Sequence, residues 1–460
     1  MKQGTSKTNW ILENAVRMDA SYHLSEGRQA KILLENSPYQ IDALSNVTSD
    51  VFMGPRFKRY YVDSEAHGVP FMGGADMQKA DLSNLKLISK KMTHAIDQLY
   101  LKKGWTLITR SGTIGQTVFT NADFENKTAT EDVIRVIANP VKIKPGFLHA
   151  FLASKYGYAL LTQSTYGAVI QHIEPHHIAD LPIPLFPPDQ QQHIHDLVVQ
   201  AAELRVEGNR QIQFLRNELS NKLKKIAGIK DLNGVKCRTI PIQEIIKNES
   251  RFDGAYNAEE GRLLYNKIKN IDHIEISSIA EVFHPILFGK KQLKGSSTKG
   301  EPMYKSSSMM KLYPETDFWL SLRMRDRYAK LQVKEGWVLV SRTGTVGNVV
   351  RISNKWSGIY IDDHMIRIIP QEQFSGLLYL YLTMPLGKSL ITFQKYGTVQ
   401  DVINSEYISR IPIPKDFLND DFVKIIQVEV QSAFQKIDAA SEKERQAITL
   451  IETEIASWQS

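Results

Sequence analysis

The stretch "WTLITRSGTIGQTVF" at residues 105–119 recurs as "WVLVSRTGTVGNVV" at residues 337–350, 232 positions further on. Two such turns are either a short motif used twice or the visible part of two copies of one fold, and other matched segments decide between these. Arg17-Met18-Asp19-Ala20-Ser21-Tyr22 matches Arg251-Phe252-Asp253-Gly254-Ala255-Tyr256 at an offset of 234, and Phe52-Met53-Gly54 with Arg56 matches Leu287-Phe288-Gly289 with Lys291 at 235. Gly68-Val69-Pro70 matches Gly300-Glu301-Pro302 at 232, as does "TEDVIRV" from Thr130 against "DDHMIRI" from Asp362. Tyr166-Gly167 matches Tyr396-Gly397 at 230, and Leu181-Pro182-Ile183-Pro184 matches Ile411-Pro412-Ile413-Pro414 at the same offset. A drift from 235 to 230 is a few loop residues gained or lost. The chain therefore reads as a tandem duplication, about residues 9–226 and 243–460.

Each copy follows one plan. Short β-branched and aromatic strands such as "WTLITR", "DVIRVIA", "WVLVSR" and "HMIRIIP" come first, broken by Gly, Pro, Asn and Asp. A helical stretch follows ("FLHAFLASKYGYALLTQ", "GLLYLYLTMPLGKSLITFQ"), and a proline-rich exit, "LPIPLFPPDQ" or "IPIPKDF", stops it. Beyond the exit the period changes. Val430, Ala433, Ile437, Ala440, Glu444, Ala447, Ile451 and Trp458 fall near a 3.5-residue seam in the second copy. In the first, Ile194, Leu197, Ala201 and Leu204, then Ile212, Leu215, Leu219 and Ile226, do the same, with Gly208 and a register shift between them. Helices of this length span roughly 55 to 60 Å at 1.5 Å per residue, against an average of about 11 or 12 residues. They pair most simply with each other, since neither buries its stripe alone. The expected fold is α+β: two mixed α/β domains separated by two long helices pairing as an antiparallel coiled coil. Its parts are a first domain at 1–188, a first helix at 189–226, a linker at 227–242, a second domain at 243–419 and a second helix at 420–460.

Composition supports this reading. At 460 residues the chain has room for two to four domains, and 42% hydrophobic with 23% charged residues describes a globular protein. No run approaches the roughly 18 apolar residues of a membrane helix, and the opening "MKQGTSKTNWILENAV" lacks a signal peptide's apolar core. A cytoplasmic protein without membrane contact is expected. The one cysteine, Cys237, excludes an internal disulfide and any multi-cysteine metal site. Net charge is +7, and its location says more than its size. Residues 86–110 carry +5 and residues 318–342 carry +4, leaving −2 for the remainder. A solvated face accounts for one basic run; the same run leading into both turns points to a phosphate-binding surface.

Tandem domains that each carry an "SRSGTIG"-like turn, a Tyr-Gly segment, an "IPIP" exit and a long helix resemble the specificity (S) subunit of type I restriction-modification systems. The resemblance covers nearly the whole chain, and the ordered set of motifs is more specific than any one of them. It implies that each globular part is a target-recognition domain reading half of a split double-stranded DNA sequence, that the helices set the spacing, and that methyltransferase (M) subunits, two of them, dock around them. It further implies methylation at adenine N6, with S-adenosylmethionine held by the partner methyltransferase and no cofactor in this chain. Cleavage would belong to a separate restriction (R) subunit. Gly208 and "KDFLNDD", in place of a proline-rich lead into the second helix, depart from the pattern.

Base readout must differ between half-sites, so residues shared by both copies should serve the fold and phosphate contact. The turn residues Arg110, Ser111 and Thr113, with Arg342, Thr343 and Thr345, are therefore candidate DNA contacts; the competing reading is a hairpin whose hydroxyls satisfy its own backbone. Arg56, Lys58, Arg59, Lys290, Lys291 and Lys294 flank the earlier glycine loop, Lys90, Lys91, Arg323 and Arg325 lie in the basic runs, and Tyr166 and Tyr396 mark the Tyr-Gly segments. Five histidines, His172, His176, His177, His193 and His195, are close in sequence, but the second copy has Val402, Glu406 and Tyr407 where the first three fall, so the shared fold needs no metal. There is no Asn/Asp-Pro-Pro-(Tyr/Phe) adenine-flipping motif, no Gly-rich nucleotide loop and no nuclease cluster. A non-catalytic DNA-reading subunit is expected. The alternatives are a scaffold or DNA-sensing subunit of another anti-phage defence complex, or an atypical nuclease using scattered carboxylates such as Asp189 and Glu203.

Overall fold

The computed structural model describes residue 8 and residues 25–163, 172–229, 239–247, 250–258, 260–286 and 298–458. It divides into two compact units, Met1–Val206 with Ala439–Ser460, and Glu207–Asp438.

In the first unit α1 (Glu26–Leu34) precedes strands β1 (Ile41–Ala43), β2 (Thr48–Met53), β3 (Tyr61–Val62), β4 (Gly68–Met72), β5 (Lys86–Ser89), β6 (Thr106–Thr109), β7 (Thr117–Phe119), β8 (Thr128–Ala129) and β9 (Val133–Ala138). Helices α2 (Pro145–Ala153) and α3 (Lys155–Gln163) follow, then β10 (Pro182–Pro184) and α4 (Pro188–Ile226). The main sheet is antiparallel in the order β2-β9-β6-β7, a smaller sheet runs β3-β5-β4-β8 with β8 parallel to β4, and β1 pairs with β10.

The second unit repeats this with α5 (Glu260–Lys269), β11 (His273–Glu275), β12 (Ala280–Phe283), β13 (Gly300–Tyr304), β14 (Phe318–Ser321), β15 (Val338–Ser341), β16 (Val349–Arg351), β17 (Tyr360–Ile361), β18 (Met365–Pro370), α6 (Ser375–Thr383), α7 (Pro385–Thr392), β19 (Pro412–Pro414) and α8 (Asp420–Ser457). Its sheets run β12-β18-β15-β16 and β14-β13-β17, with β11 on β19. Even the register is kept: Arg135 of β9 lies between Phe52 and Leu107, and Arg367 of β18 between Phe283 and Leu339.

Strand β15 shows why the central strands are apolar on both faces. Val338 and Val340 join the core against α6 and α7, whereas Leu339 between them joins a second core with Ile352, Ile361 and Met365; successive side chains of a strand point to opposite faces. Helices α2 and α6 are buried nearly all round, as Phe147, Phe151, Leu378 and Leu382 show, which is why they lack a polar stripe.

The repeated "IRV" and "IRI" segments hide a buried cation in each main sheet. Arg135 donates to the carbonyls of Ala129, Thr130 and Val133, and Arg367 to those of Ile361, Asp362 and Met365. Each guanidinium thus ties the loop before its strand to the strand itself. Burial pulls both guanidinium groups down to about 10.

In each unit the stretches of α4 and α8 that it contains pack antiparallel. In the first, Ile194, Val198 and Ala202 share a core with Ala447, Ile451, Ile455 and Trp458. In the second, the Lys436 ammonium lies 3.5 Å from Glu207, Gln211 donates to the Glu429 carbonyl at 3.0 Å, and Lys222 sits over the Phe422 ring. The register shift expected at Gly208 is corrected: α4 runs as one helix from Pro188 to Ile226. Its buried positions 194, 198, 201, 205, 208, 212, 215 and 219 step by four and three without a shift. Arg205 and Gly208 occupy the seam places that looked empty in sequence. A Cβ at Gly208 would stand 2.8 Å from the Ala433 carbonyl oxygen, so glycine is what lets the backbones approach there.

Arg205 is answered across the seam in the first unit. Its guanidinium bonds Glu444 of α8 at 2.9 Å, and His149 Nε2 of α2 lies 3.2 Å from the other carboxylate oxygen. In the second unit Tyr379, at the position matching His149, accepts from Arg216 of α4 at 3.0 Å.

Candidate nucleic-acid interface

The shared turn is built the same way twice. The residue before the arginine closes it: Thr109 Oγ1 donates to the Thr113 carbonyl and accepts from Gln116 N–H at 3.0 Å, and Ser341 Oγ does so with the Thr345 carbonyl and Asn348 N–H at 2.9 Å. Gly112 and Gly344 adopt φ of 73° and 72°, left-handed values that a side chain would strain. The arginine backbone pairs on both sides, with Asp132 and Ile173 in the first unit and His364 and Ile403 in the second.

The arginine side chains differ. Arg110 is 5% exposed, and its guanidinium is held by Glu174, with Nε at 3.2 Å, and by Asp132, with Nη1 at 3.4 Å. Ser111 Oγ also donates to Asp132, at 3.1 Å. Two carboxylates, Glu174 and Asp132, thus hold the Arg110 guanidinium and the Ser111 hydroxyl where a phosphate was expected. In the second unit His364 stands where Asp132 does and Asn404 where Glu174 does. Arg342 is half-buried, Thr343 Oγ1 is 3.0 Å from His364 Nδ1, and His284 Nε2 bonds the Asp363 carbonyl at 2.6 Å. Burial lowers the pKa of the His284 imidazole, the Asp363 carbonyl opposes this, and the Arg342 charge adds to the lowering.

Of the other candidates, Arg56 and Lys58 are exposed in the segment between β2 and β3, with the Lys58 ammonium 5.2 Å from the Tyr60 ring centre. Arg59 pairs with Glu131 at 3.2 Å, so Arg59, Arg110 and Ser111 converge on one acidic loop. Lys90 and Lys91 are exposed after β5, Lys90 donating to the Glu65 carbonyl. Arg323 and Arg325 are exposed after β14, and Arg325 lies 3.3 Å from Glu301. Thr113 and Thr345 are exposed at the turn tips. Tyr396 exchanges backbone bonds with Val402 and packs on Tyr407, near which Arg251 donates to the Gln394 and Lys395 carbonyls. Tyr166, Lys290, Lys291, Lys294 and Cys237 lie outside the described residues. The side chains that decide the site, Asp132, Glu174, His284 and His364, were not among the expected residues; the "TED" against "DDH" match was the signal that could have found two of them.

Among the described residues no three His, Cys, Asp or Glu side chains are placed to hold a metal ion, and no helix is long and apolar enough to cross a membrane. Two sheet-based units of one plan, each ending on a long paired helix and presenting a glycine turn beside exposed cations, define a doubled recognition module. The model of the type I restriction modification DNA specificity domain matches residues 48–213 and again residues 268–452, about three quarters of the chain. The chain belongs to that family, and its function is DNA-sequence specificity. Similar solved structures include the type I restriction-modification S subunit from M. genitalium, at 13% identity and a TM-score of 0.36, covering 92% of this chain and 96% of that one. The HsdS subunit from Thermoanaerobacter tengcongensis matches at 14% identity and a TM-score of 0.28, covering 91% and 96%. A chain from a study of complex assembly and conformational transition of the type I R-M system matches at 15% and 0.26, covering 92% and 98%. A search of curated proteins found no match.

Proposed function

We propose that the chain is the non-catalytic reading subunit of a cytoplasmic type I restriction-modification complex, and that each unit reads one half of a two-part double-stranded DNA target. The observation that carries this is the doubled specificity domain, one per unit, with different side chains at matching surface positions. Two methyltransferase subunits dock on the chain and hold the S-adenosylmethionine; where the complex cleaves, a restriction subunit joins it. Arg56, Lys58, Lys90 and Lys91 in the first unit, and Arg323, Arg342 and Thr345 in the second, contact the duplex backbone, with Lys290, Lys291 and Lys294 assigned the same role from sequence. Phosphate contacts position a protein on DNA without reading bases. Incubated with duplex and S-adenosylmethionine, the chain alone is expected to bind DNA in a salt-dependent way and to transfer no methyl group; adding its methyltransferase partner starts transfer to adenine. Methyl transfer by the chain alone would sink the proposal.

A further inference from the structure

We propose that the two turns are unequal, and that Arg342, Thr343 and His364 in the second unit form a DNA-phosphate site whose counterpart in the first unit is closed by its own carboxylates. This rests on the DNA-binding reading above and deepens it. In the first unit the guanidinium already has the two anionic partners that a phosphate would replace, Glu174 and Asp132, and is 5% exposed. In the second unit both partners are gone by substitution, to Asn404 and His364, and the Asn404 side chain is occupied capping its own helical turn through Tyr407 N–H. Of the two acids before His364, Asp362 is buried and its carboxylate accepts from the His364 and Ser306 N–H groups. What remains is a half-buried cation, a hydroxyl and an imidazole, His364, that is exposed beside them. The tip is as open as that of the first turn: among the described residues no atom beyond the glycine's own neighbours lies within 4 Å of where a Gly344 or a Gly112 Cβ would stand, so the two turns differ in their charged surroundings and not in access. Planar guanidinium with a neighbouring hydroxyl is the donor set that suits a phosphate diester.

Salt titration of full-chain binding to duplex DNA reads this directly, because each neutralised phosphate adds about 0.9 to the slope of log affinity against log salt. Arg342→Gln should lower the slope by about one, so that a four-fold rise in salt costs roughly three-fold less affinity than in the parent, while Arg342→Lys keeps the slope and Arg110→Gln leaves it unchanged. Exchanging the surroundings tests the cause without touching either arginine. His364→Asp with Asn404→Glu should lower the slope by about one, and Asp132→His with Glu174→Asn should raise it by about one; melting curves show that each variant is folded. Equal slopes for the Arg110 and Arg342 variants, or swaps that leave the slope alone, overturn the inference while leaving DNA binding intact. A parent chain that binds no duplex at any salt overturns the DNA-binding reading, and this one with it.

Discussion

Glu444→Ala is expected to destabilise the protein by about 3 to 5 kcal/mol, the cost of leaving a buried charge without its partner. Glu444 is 3% exposed at a seam position of α8, where it holds both the Arg205 guanidinium and the His149 ring. Its removal takes the carboxylate away from the buried Arg205 guanidinium, which water reaches poorly. The pair itself is a different matter: replacing both partners with apolar residues of similar volume is often neutral or better. Glu444→Leu combined with Arg205→Met should therefore recover most of the loss. Denaturant melts of the single and double variants separate the two effects. A loss below about 1 kcal/mol for Glu444→Ala would mean that the contact behaves as a surface ion pair and does not lock the seam.

The second large effect is expected at Arg367. Its guanidinium is fully buried and donates to the carbonyls of Ile361, Asp362 and Met365 and, at 3.5 Å, to that of Leu331. Arg367→Met keeps the length and removes every donor, leaving buried carbonyls that the strand pairing does not satisfy. The expected loss is about 3 kcal/mol, seen as a melting temperature lower by roughly 6 to 12 °C for a unit of this size. Arg135→Met in the first unit should behave in a similar way, since Arg135 donates to the three matching carbonyls of Ala129, Thr130 and Val133. DNA contacts are not involved, so the salt slope of any remaining binding should stay where it was. A variant that melts like the parent would show that these carbonyls are satisfied by other means.

Both residues show what sequence can carry and what it cannot. Periodicity exposed the strands, the buried helices and the seam of α8, because each depends on spacing along the chain. The same periodicity failed at Arg205 and Gly208, since a cation and a glycine read as gaps when apolar residues are being counted; the first is compensated by Glu444, 239 residues away, and the second by a close approach to α8. The burial of Arg135 and Arg367 went unread for a similar reason: their partners are backbone carbonyls, which no composition shows. The turn arginines were visible as a repeated motif, but their difference lies in Asp132 and Glu174, 22 and 64 residues beyond Arg110. Only the fold brings those carboxylates to the guanidinium.

Selecting the duplexes that the full chain binds from a random pool tests the central claim most directly. One chain with two reading units should enrich two short clusters of fixed bases, separated by a constant number of positions that carry no preference. A single uninterrupted cluster, or no enrichment at all at low salt, would contradict the account.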